Sequence, residues 1–195
     1  MQRVNSVDML QTSKNQNKRQ KIFNFYTLKN GSKISCHGRP KKPDIKNLKE
    51  GYKVNYILTI QHESEKPEVI QKYVQEIGDI YWHNLPLRGA NMAIFMNKTV
   101  QKLIIDNILF IINYMKNNEI ILFMHCAAGI HRTGTILYTL LRVCGESKEN
   151  ALKAVKYIRI DTFNKCGTNR LNYAEEFLVQ PILKIINDEK NDFFK

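Results

Sequence analysis

The chain has 195 residues, 43% of them hydrophobic and 25% charged, which predicts one sizeable globular domain with a core of its own. No run approaches the ~20 apolar residues that a membrane span requires, so we expect no span. Four cysteines without CxxC spacing argue against a zinc site and for reduced thiols, which favours a cytoplasmic or nuclear location. The formal net charge of +12 predicts an anionic substrate or partner.

The order of predicted elements begins with residues 1–20, which are polar and lack apolar periodicity. We expect a flexible basic leader there and a single domain over residues 21–190. Turn residues and apolar spacing then predict a hairpin of 22–28 with 33–36, helices over 43–51, 67–77, 98–117, 133–143 and 147–158, and strands over 54–60, 79–85 and 119–124. A last helix is expected from Asn169, with a kink at Pro181.

Strands that alternate with helices predict an α/β fold. We expect a single-domain sandwich in which helices flank a central, mostly parallel twisted sheet. The nearly continuous apolar run of residues 119–124 is typical of a strand that is buried on both faces of such a sheet. Because ligands of open α/β sheets bind at the carboxyl ends of the strands, the segment after this run is the expected site.

That segment reads HCAAGIHRTG over residues 125–134 and joins the predicted central strand to a helix. Its small residues let the backbone curl, and a helix N-terminus offers free N–H groups and a positive dipole end. These features predict a phosphate-binding loop. Its expected phosphate-binding residues are Ala127, Ala128, Gly129, Ile130, His131 and Arg132.

Four side chains of this segment have expected roles in chemistry. Cys126 lies at the start of the loop, and a helix N-terminus and a guanidinium favour the nucleophilic thiolate form of a cysteine. Arg132 follows six positions later, and its planar fork can bind two phosphate oxygens at once. Thr133 could donate a hydrogen bond toward the sulfur. His125 is expected to orient the loop rather than act on the substrate.

The segment resembles the HCxxGxxR(S/T)G signature of the protein tyrosine phosphatase superfamily, particularly its small dual-specificity branch. The resemblance covers about residues 30–180, strongly at the loop and loosely elsewhere. It implies that Cys126 attacks phosphorus and that water hydrolyses the resulting phosphocysteine, while Arg132 and the loop amides stabilise the charge. It implies no metal and no other cofactor. We therefore predict a monomeric phosphatase of phosphoproteins, acting on phosphotyrosine and also on phosphoserine or phosphothreonine.

The sequence departs from this family at the general acid. An aspartate upstream of the cysteine usually protonates the leaving oxygen, but residues 88–97 contain no carboxylate. Losing such an acid costs about 10²–10⁴ in rate for a poor leaving group. Three explanations stay open. His131 could act from within the loop as in myotubularin-like phosphatases, Asp161 could reach over the site, or the substrate could be a phosphoanhydride.

Other functions of the same superfamily also stay open. RNA 5′-triphosphatases lack the usual aspartate and have loops that read HCxHGxNRTG, but Ala128 and His131 differ from that pattern. The basic charge suits RNA or another anionic partner. A phosphoinositide phosphatase is disfavoured because the loop contains no lysine. A non-catalytic phospho-binding module is disfavoured by the intact Cys126 and Arg132. The resemblance also implies that Cys36 or Cys166 could protect an oxidised Cys126 through a disulfide.

Overall fold

The computed structural model describes residues 21–89 and 91–188, so the leader expected over residues 1–20 lies outside the described residues. Five strands form the sheet: β1 (Tyr26–Thr27), β2 (Lys33–Gly38), β3 (Tyr56–Thr59), β4 (Tyr81–Asn84) and β5 (Ile121–Cys126). Their order in the sheet is β1-β2-β5-β3-β4. Strands β2, β5, β3 and β4 run parallel, and β1 pairs antiparallel with β2. The predicted hairpin and the mostly parallel sheet are confirmed.

Helices cover both faces of the sheet. They are α1 (Lys42–Tyr52), α2 (Glu68–Ile77), α3 (Met92–Phe95), α4 (Lys98–Asn117), α5 (His131–Val143), α6 (Lys148–Ile158), α7 (Ile160–Cys166), α8 (Thr168–Ala174) and α9 (Gln180–Asp188). Each helix predicted before residue 160 is present within a few residues of its expected bounds. The short helices α3 and α7 were not predicted. No helix in the described part of the chain has the length and apolar character to cross a membrane.

Two hydrophobic clusters hold the helices on the sheet. On one face, Ile57 and Phe123 pack with apolar residues of α1 and α2. On the other face, Leu58 and Met124 pack with apolar residues of α4, α5 and α6 and of the C-terminal helices. The central strand β5 therefore contributes to both clusters, as its apolar sequence predicts. This burial fixes the carboxyl end of β5, where the phosphate-binding loop begins.

The C-terminal helix differs from the prediction. Instead of one helix with a kink at Pro181, α8 and α9 are joined by a π-helical turn, Glu175–Val179. The Gln180 N–H donates to the Glu175 carbonyl, five residues earlier. Proline has no N–H, and its ring clashes with the carbonyl four residues before it in a regular α-helix. The wider turn just before Pro181 therefore accommodates the proline without ending the helix.

Candidate active site

The loop that follows β5 curls its backbone around the sulfur of Cys126. Strand β5 ends at Cys126 and helix α5 begins at His131. The Gly129 N–H donates to Cys126 Sγ at 3.2 Å, as in a backbone nest that binds an anion. Cys126 is only 4% exposed, so the sulfur lies at the floor of the loop. A phosphate above the sulfur would meet the loop amides first.

Gly129 is required by the close approach of the loop to the end of β2. Its φ is +68°, in the left-handed region that other residues adopt at a cost. A Cβ atom at this position would lie 2.2 Å from the carbonyl carbon and oxygen of His37. No side chain fits this gap without a shift of the loop or of β2. Ala127 and Ala128 are exposed at the rim, and Gly129 is buried.

The carbonyl oxygens of the loop are held from its outer side. Arg159 Nη1 donates to the carbonyl oxygens of Ala128 at 3.0 Å and Gly129 at 2.7 Å. Thr162 Oγ1 donates to the same Gly129 oxygen at 2.7 Å. Each peptide plane directs its C=O and N–H in opposite directions, so fixing the carbonyls outward keeps the amides inward. The sequence did not predict these roles for Arg159 and Thr162.

Arg132 is positioned by an ion pair with Glu65. Its Nη1 and Nη2 donate to Glu65 Oε2 and Oε1 at 2.5 and 2.7 Å, and Nη1 also donates to the Leu87 carbonyl at 2.8 Å. The two N–H groups that remain, on Nε and Nη2, share one edge of the planar group. Cys126 is near enough to the guanidinium to raise the pKa of Arg132. Arg132 can therefore keep its pair with Glu65 and still offer a two-pronged edge to a phosphate above the sulfur.

Burial alone would lower the pKa of Arg132, but the hydrogen bond to Glu65 and the nearby Cys126 outweigh burial and raise it. The hydrogen bond from Arg132 also holds the pKa of Glu65 below its ordinary value, against a smaller effect of burial. Both groups are thus charged at neutral pH. Because Glu65 is ionised and paired, it is a poor proton donor.

Arg39 fixes the short turn that carries Glu65. The turn is a 3₁₀ helix, Glu63–Glu65, that begins shortly after the end of β3 at Thr59. Arg39 donates from Nη1 to the Glu65 carbonyl at 2.6 Å and from Nη2 to the Lys66 carbonyl at 2.7 Å. Sequence reasoning missed Glu65 because its partner is far away along the chain. The one available signal was its position after a parallel strand, at the same edge of the sheet as Cys126.

His125 is buried under the loop and contacts it through the backbone. Its Nδ1 lies 3.3 Å from the Cys126 carbonyl oxygen, and its Nε2 lies 2.9 Å from Thr59 Oγ1. Burial lowers the pKa of His125 to about 3, which the hydrogen bond with Cys126 opposes and the charges of Arg39 and Arg132 reinforce. The ring is therefore neutral near pH 7, and this position suits the orienting role expected for it.

Thr133 does not make the contact that the sequence suggested. Its side chain is fully buried, and Oγ1 has no hydrogen-bond partner among residues 21–89 and 91–188. The hydrogen bond to the sulfur that we expected from Thr133 is absent there. In its place, the Gly129 N–H is the donor that reaches Cys126 Sγ.

The candidates for the general acid occupy different sides of the loop. His131 is exposed at the first position of α5, next to Arg132. Asp161 is 55% exposed and pairs with Arg159 at 3.8 Å and Lys165 at 3.6 Å. Since Arg159 binds the outer carbonyls of the loop, Asp161 lies on the side opposite the inward amides. The structure thus does not bring Asp161 over the sulfur, and it leaves His131 at the rim.

With this geometry established, comparison with known proteins gives the family. The family model for the Swiss Army Knife protein, DSP-PTPase phosphatase domain (PTP-SAK), matches residues 24–175. The chain belongs to this family. It is thus a PTP-superfamily phosphatase of the small dual-specificity type, as the loop sequence predicts. No curated protein sequence matches the chain.

Solved structures of several phosphatases share the fold of this PTP-SAK domain. The core catalytic domain of the PP-IP phosphatase SIW14 from S. cerevisiae has a TM-score of 0.61 at 19% identity, covering 87% of this chain and 94% of that one. The kinase associated phosphatase KAP has a TM-score of 0.58 at 16% identity, covering 85% and 98%. PTPMT1 has a TM-score of 0.58 at 17% identity, covering 85% and 99%. At these identities the likeness establishes the fold alone.

The other three cysteines of this PTP-SAK domain are buried thiols. Burial raises the pKa of Cys36 and Cys144 to about 12 and that of Cys166 to about 11. They are therefore protonated and unreactive at neutral pH in the folded chain. A redox role for Cys36 or Cys166 stays a prediction.

Proposed function

We propose that the chain removes phosphate from phosphotyrosine in proteins through a phosphocysteine intermediate on Cys126. In the first step the thiolate forms a bond to phosphorus as the bond to the tyrosine oxygen breaks. In the second step water attacks the same phosphorus, releases phosphate and restores the thiolate. Arg132 and the inward amides stabilise the charge on the equatorial phosphate oxygens in both steps.

One observation carries the choice of substrate: the loop after β4 reaches the site without a carboxylate. The Leu87 carbonyl accepts a hydrogen bond from Arg132, which places this loop beside the phosphate site. The chain contains no Asp or Glu from residue 80 to residue 105, a range that includes this whole loop. Glu65, a carboxylate that does reach the site, is ionised and held by Arg132. The site therefore favours substrates whose leaving oxygen departs with little protonation.

Leaving groups differ widely in this respect. A tyrosine phenol has a pKa of ~10, whereas an aliphatic alcohol approaches the value of water, ~15.7. Departure of an unprotonated serine or threonine oxygen is accordingly far slower. We infer that phosphotyrosine is preferred over phosphoserine and phosphothreonine, a narrower range than the dual specificity expected from the sequence. An alkyl ester such as a phosphoinositide is disfavoured for the same reason.

A phosphoanhydride is the second candidate substrate, favoured by the same carboxylate-free loop. Its leaving group is itself a phosphate, whose second pKa of ~6 makes protonation unnecessary at neutral pH. The net charge of +12 supports encounter with such a polyanion. SIW14, which has a similar fold, is a PP-IP phosphatase. An inositol pyrophosphate or a 5′-triphosphate RNA end would present this chemistry.

A substrate panel tests the proposal. Purified protein and its Cys126→Ser variant should be offered phosphotyrosine peptide, phosphoserine peptide, an inositol pyrophosphate and triphosphate-ended RNA, all in EDTA. We expect Cys126-dependent phosphate release from phosphotyrosine peptide, with phosphoserine slower by two orders of magnitude or more. Release from the anhydrides alone would establish the second candidate instead. Phosphoserine hydrolysis as fast as phosphotyrosine hydrolysis would overturn the leaving-group argument.

A further inference from the structure

A row of hydrogen-bonded polar groups, with Thr59 and His125 buried and Trp82 half-buried, crosses three strands beneath the phosphate-binding loop. Thr59 on β3 pairs with His125 on β5 in the parallel ladder, so their side chains share one face of the sheet. Trp82 on β4 lies on the same face, and its Nε1–H donates to Thr59 Oγ1 at 3.0 Å. Thr59 Oγ1 lies 2.9 Å from His125 Nε2. His125 Nδ1 in turn lies 3.3 Å from the Cys126 carbonyl oxygen.

The directions of these hydrogen bonds follow from what each group can do. A carbonyl oxygen only accepts, so the contact with the Cys126 carbonyl requires the hydrogen on His125 Nδ1. A neutral ring carries one such hydrogen, and His125 is neutral because burial lowers its pKa to about 3. His125 Nε2 is then an acceptor, and Thr59 must donate to it. The indole N–H of Trp82 only donates, so it occupies a lone pair of Thr59 and directs the hydroxyl hydrogen toward His125.

We propose that Thr59 and Trp82 are positioning residues for the nucleophile: they hold His125 in the tautomer that donates to the Cys126 carbonyl. Two effects reach the reacting atoms. The hydrogen bond from His125 Nδ1–H orients the Cys126 carbonyl so that its negative oxygen points away from the Cys126 sulfur. Because C=O and N–H of one peptide point in opposite directions, a carbonyl fixed by His125 directs the next amide, on Ala127, toward the phosphate. The proposal rests on Cys126 being the nucleophile of the proposed function.

The test measures the thiolate of Cys126 directly. The rate of iodoacetamide alkylation of Cys126, followed by peptide mass spectrometry from pH 4 to pH 9, reports thiolate without any substrate. Thr59→Val keeps the shape of the side chain and removes its hydroxyl. We therefore expect the midpoint of the pH profile of alkylation, and the acidic limb of the pH profile of kcat/KM, to move up by roughly 0.5–1 pH unit. Trp82→Phe should move them in the same direction by less.

Matched variants separate positioning from general stability. Thr59→Ser keeps the hydroxyl and should restore the wild-type midpoint. Tyr56→Phe, on the same strand, removes the hydroxyl that contacts His83 Nδ1 at 2.7 Å and should leave the midpoint unchanged. Nitrogen-15 shifts of the His125 ring, assigned by their loss in His125→Asn, should give Nδ1 protonated and Nε2 bare in the wild type.

Three results would each overturn the proposal: an Nε2-protonated His125 in the wild type, a folded Thr59→Val with the wild-type midpoint, or Thr59→Ser shifted as far as Thr59→Val. Failure of the proposed function would look different. In that case no phosphate release from phosphotyrosine peptide would depend on Cys126, while the alkylation and nitrogen-15 measurements would still report the hydrogen-bonded row.

Discussion

Replacing Glu65 with glutamine tests whether the ion pair with Arg132 positions the phosphate-binding edge. The variant keeps the length of the side chain and one oxygen acceptor, but it removes the charge and one of two charge-assisted hydrogen bonds. The Arg132 side chain is 7% exposed and that of Glu65 is 26% exposed. A hydrogen bond between charged groups contributes roughly 1.5–3 kcal/mol, and the exposure of Glu65 favours the lower part of that range.

The expected loss of stability is therefore about 2 kcal/mol, or a decrease in Tm of about 4–8 °C for a domain of this size. For activity, Arg132 keeps its hydrogen bond to Leu87 but loses the partner that fixes the plane of its guanidinium. We expect kcat on an aryl phosphate to fall by roughly 10–100-fold. KM should not rise, because a negative charge near the anionic substrate has also been removed.

The assay compares Glu65→Gln with Glu63→Gln, which changes an exposed glutamate of the same turn. The pKa of Glu65 lies below its ordinary value, so its carboxylate adds stability above the unfolded value of ~4.3 and loses it as pH falls through the folded value. The Tm difference between wild type and Glu65→Gln should therefore shrink below about pH 4.3. If Glu65→Gln kept the wild-type kcat and the wild-type Tm, as the control Glu63→Gln should, the positioning role of Glu65 would be refuted.

Four further predictions concern the loop and its surroundings. Gly129→Ala should lower kcat/KM by about two orders of magnitude and the Tm in a thermal melt, since the left-handed φ and the contact with β2 both resist a Cβ atom. Arg159→Ala removes a hydrogen bond from each of two loop carbonyls, of which that of Gly129 keeps its bond to Thr162, and should weaken vanadate binding, measured by competitive inhibition, about tenfold. If His131 protonates the leaving group, His131→Ala should lower turnover of an alkyl phosphate far more than of p-nitrophenyl phosphate, and equal losses would exclude that role. Iodoacetamide at pH 7.5 should label Cys126 before the other three cysteines, because burial raises their pKa values to about 11 or 12; labelling of Cys144 at the same rate would contradict this.

The parts of the site that are continuous in sequence could be predicted. The apolar run of β5, the small residues of the loop and the apolar spacing of α5 are local signals, and they located Cys126 and Arg132. The bounds differed for physical reasons. Strand β5 extends through the polar His125 to Cys126, because parallel pairing with β2 continues to Gly38. Helix α5 starts at His131, two residues before the predicted start at residue 133. Its first turn is closed by the hydrogen bond from the Gly134 N–H to the Ile130 carbonyl.

The supporting residues could not be predicted, because they depend on strand register and on contacts between distant turns. Glu65 reaches Arg132 from the turn after β3, and nothing in the local sequence marks that turn. The contact of Thr59 with His125 exists because β3 and β5 pair in one register. A slip of one residue would turn either side chain to the other face of the sheet. Periodicity identifies the strands but does not give their register.

Trapping the phosphoenzyme is the most direct test of the central claim that Cys126 is the nucleophile. The protein should be mixed with a phosphorus-32-labelled phosphotyrosine peptide or inositol pyrophosphate, quenched in acid during turnover and digested. We predict one labelled peptide, the one that contains Cys126, which is lost in Cys126→Ser together with phosphate release. Turnover by Cys126→Ser at the wild-type rate, or label on a different residue, would contradict the account.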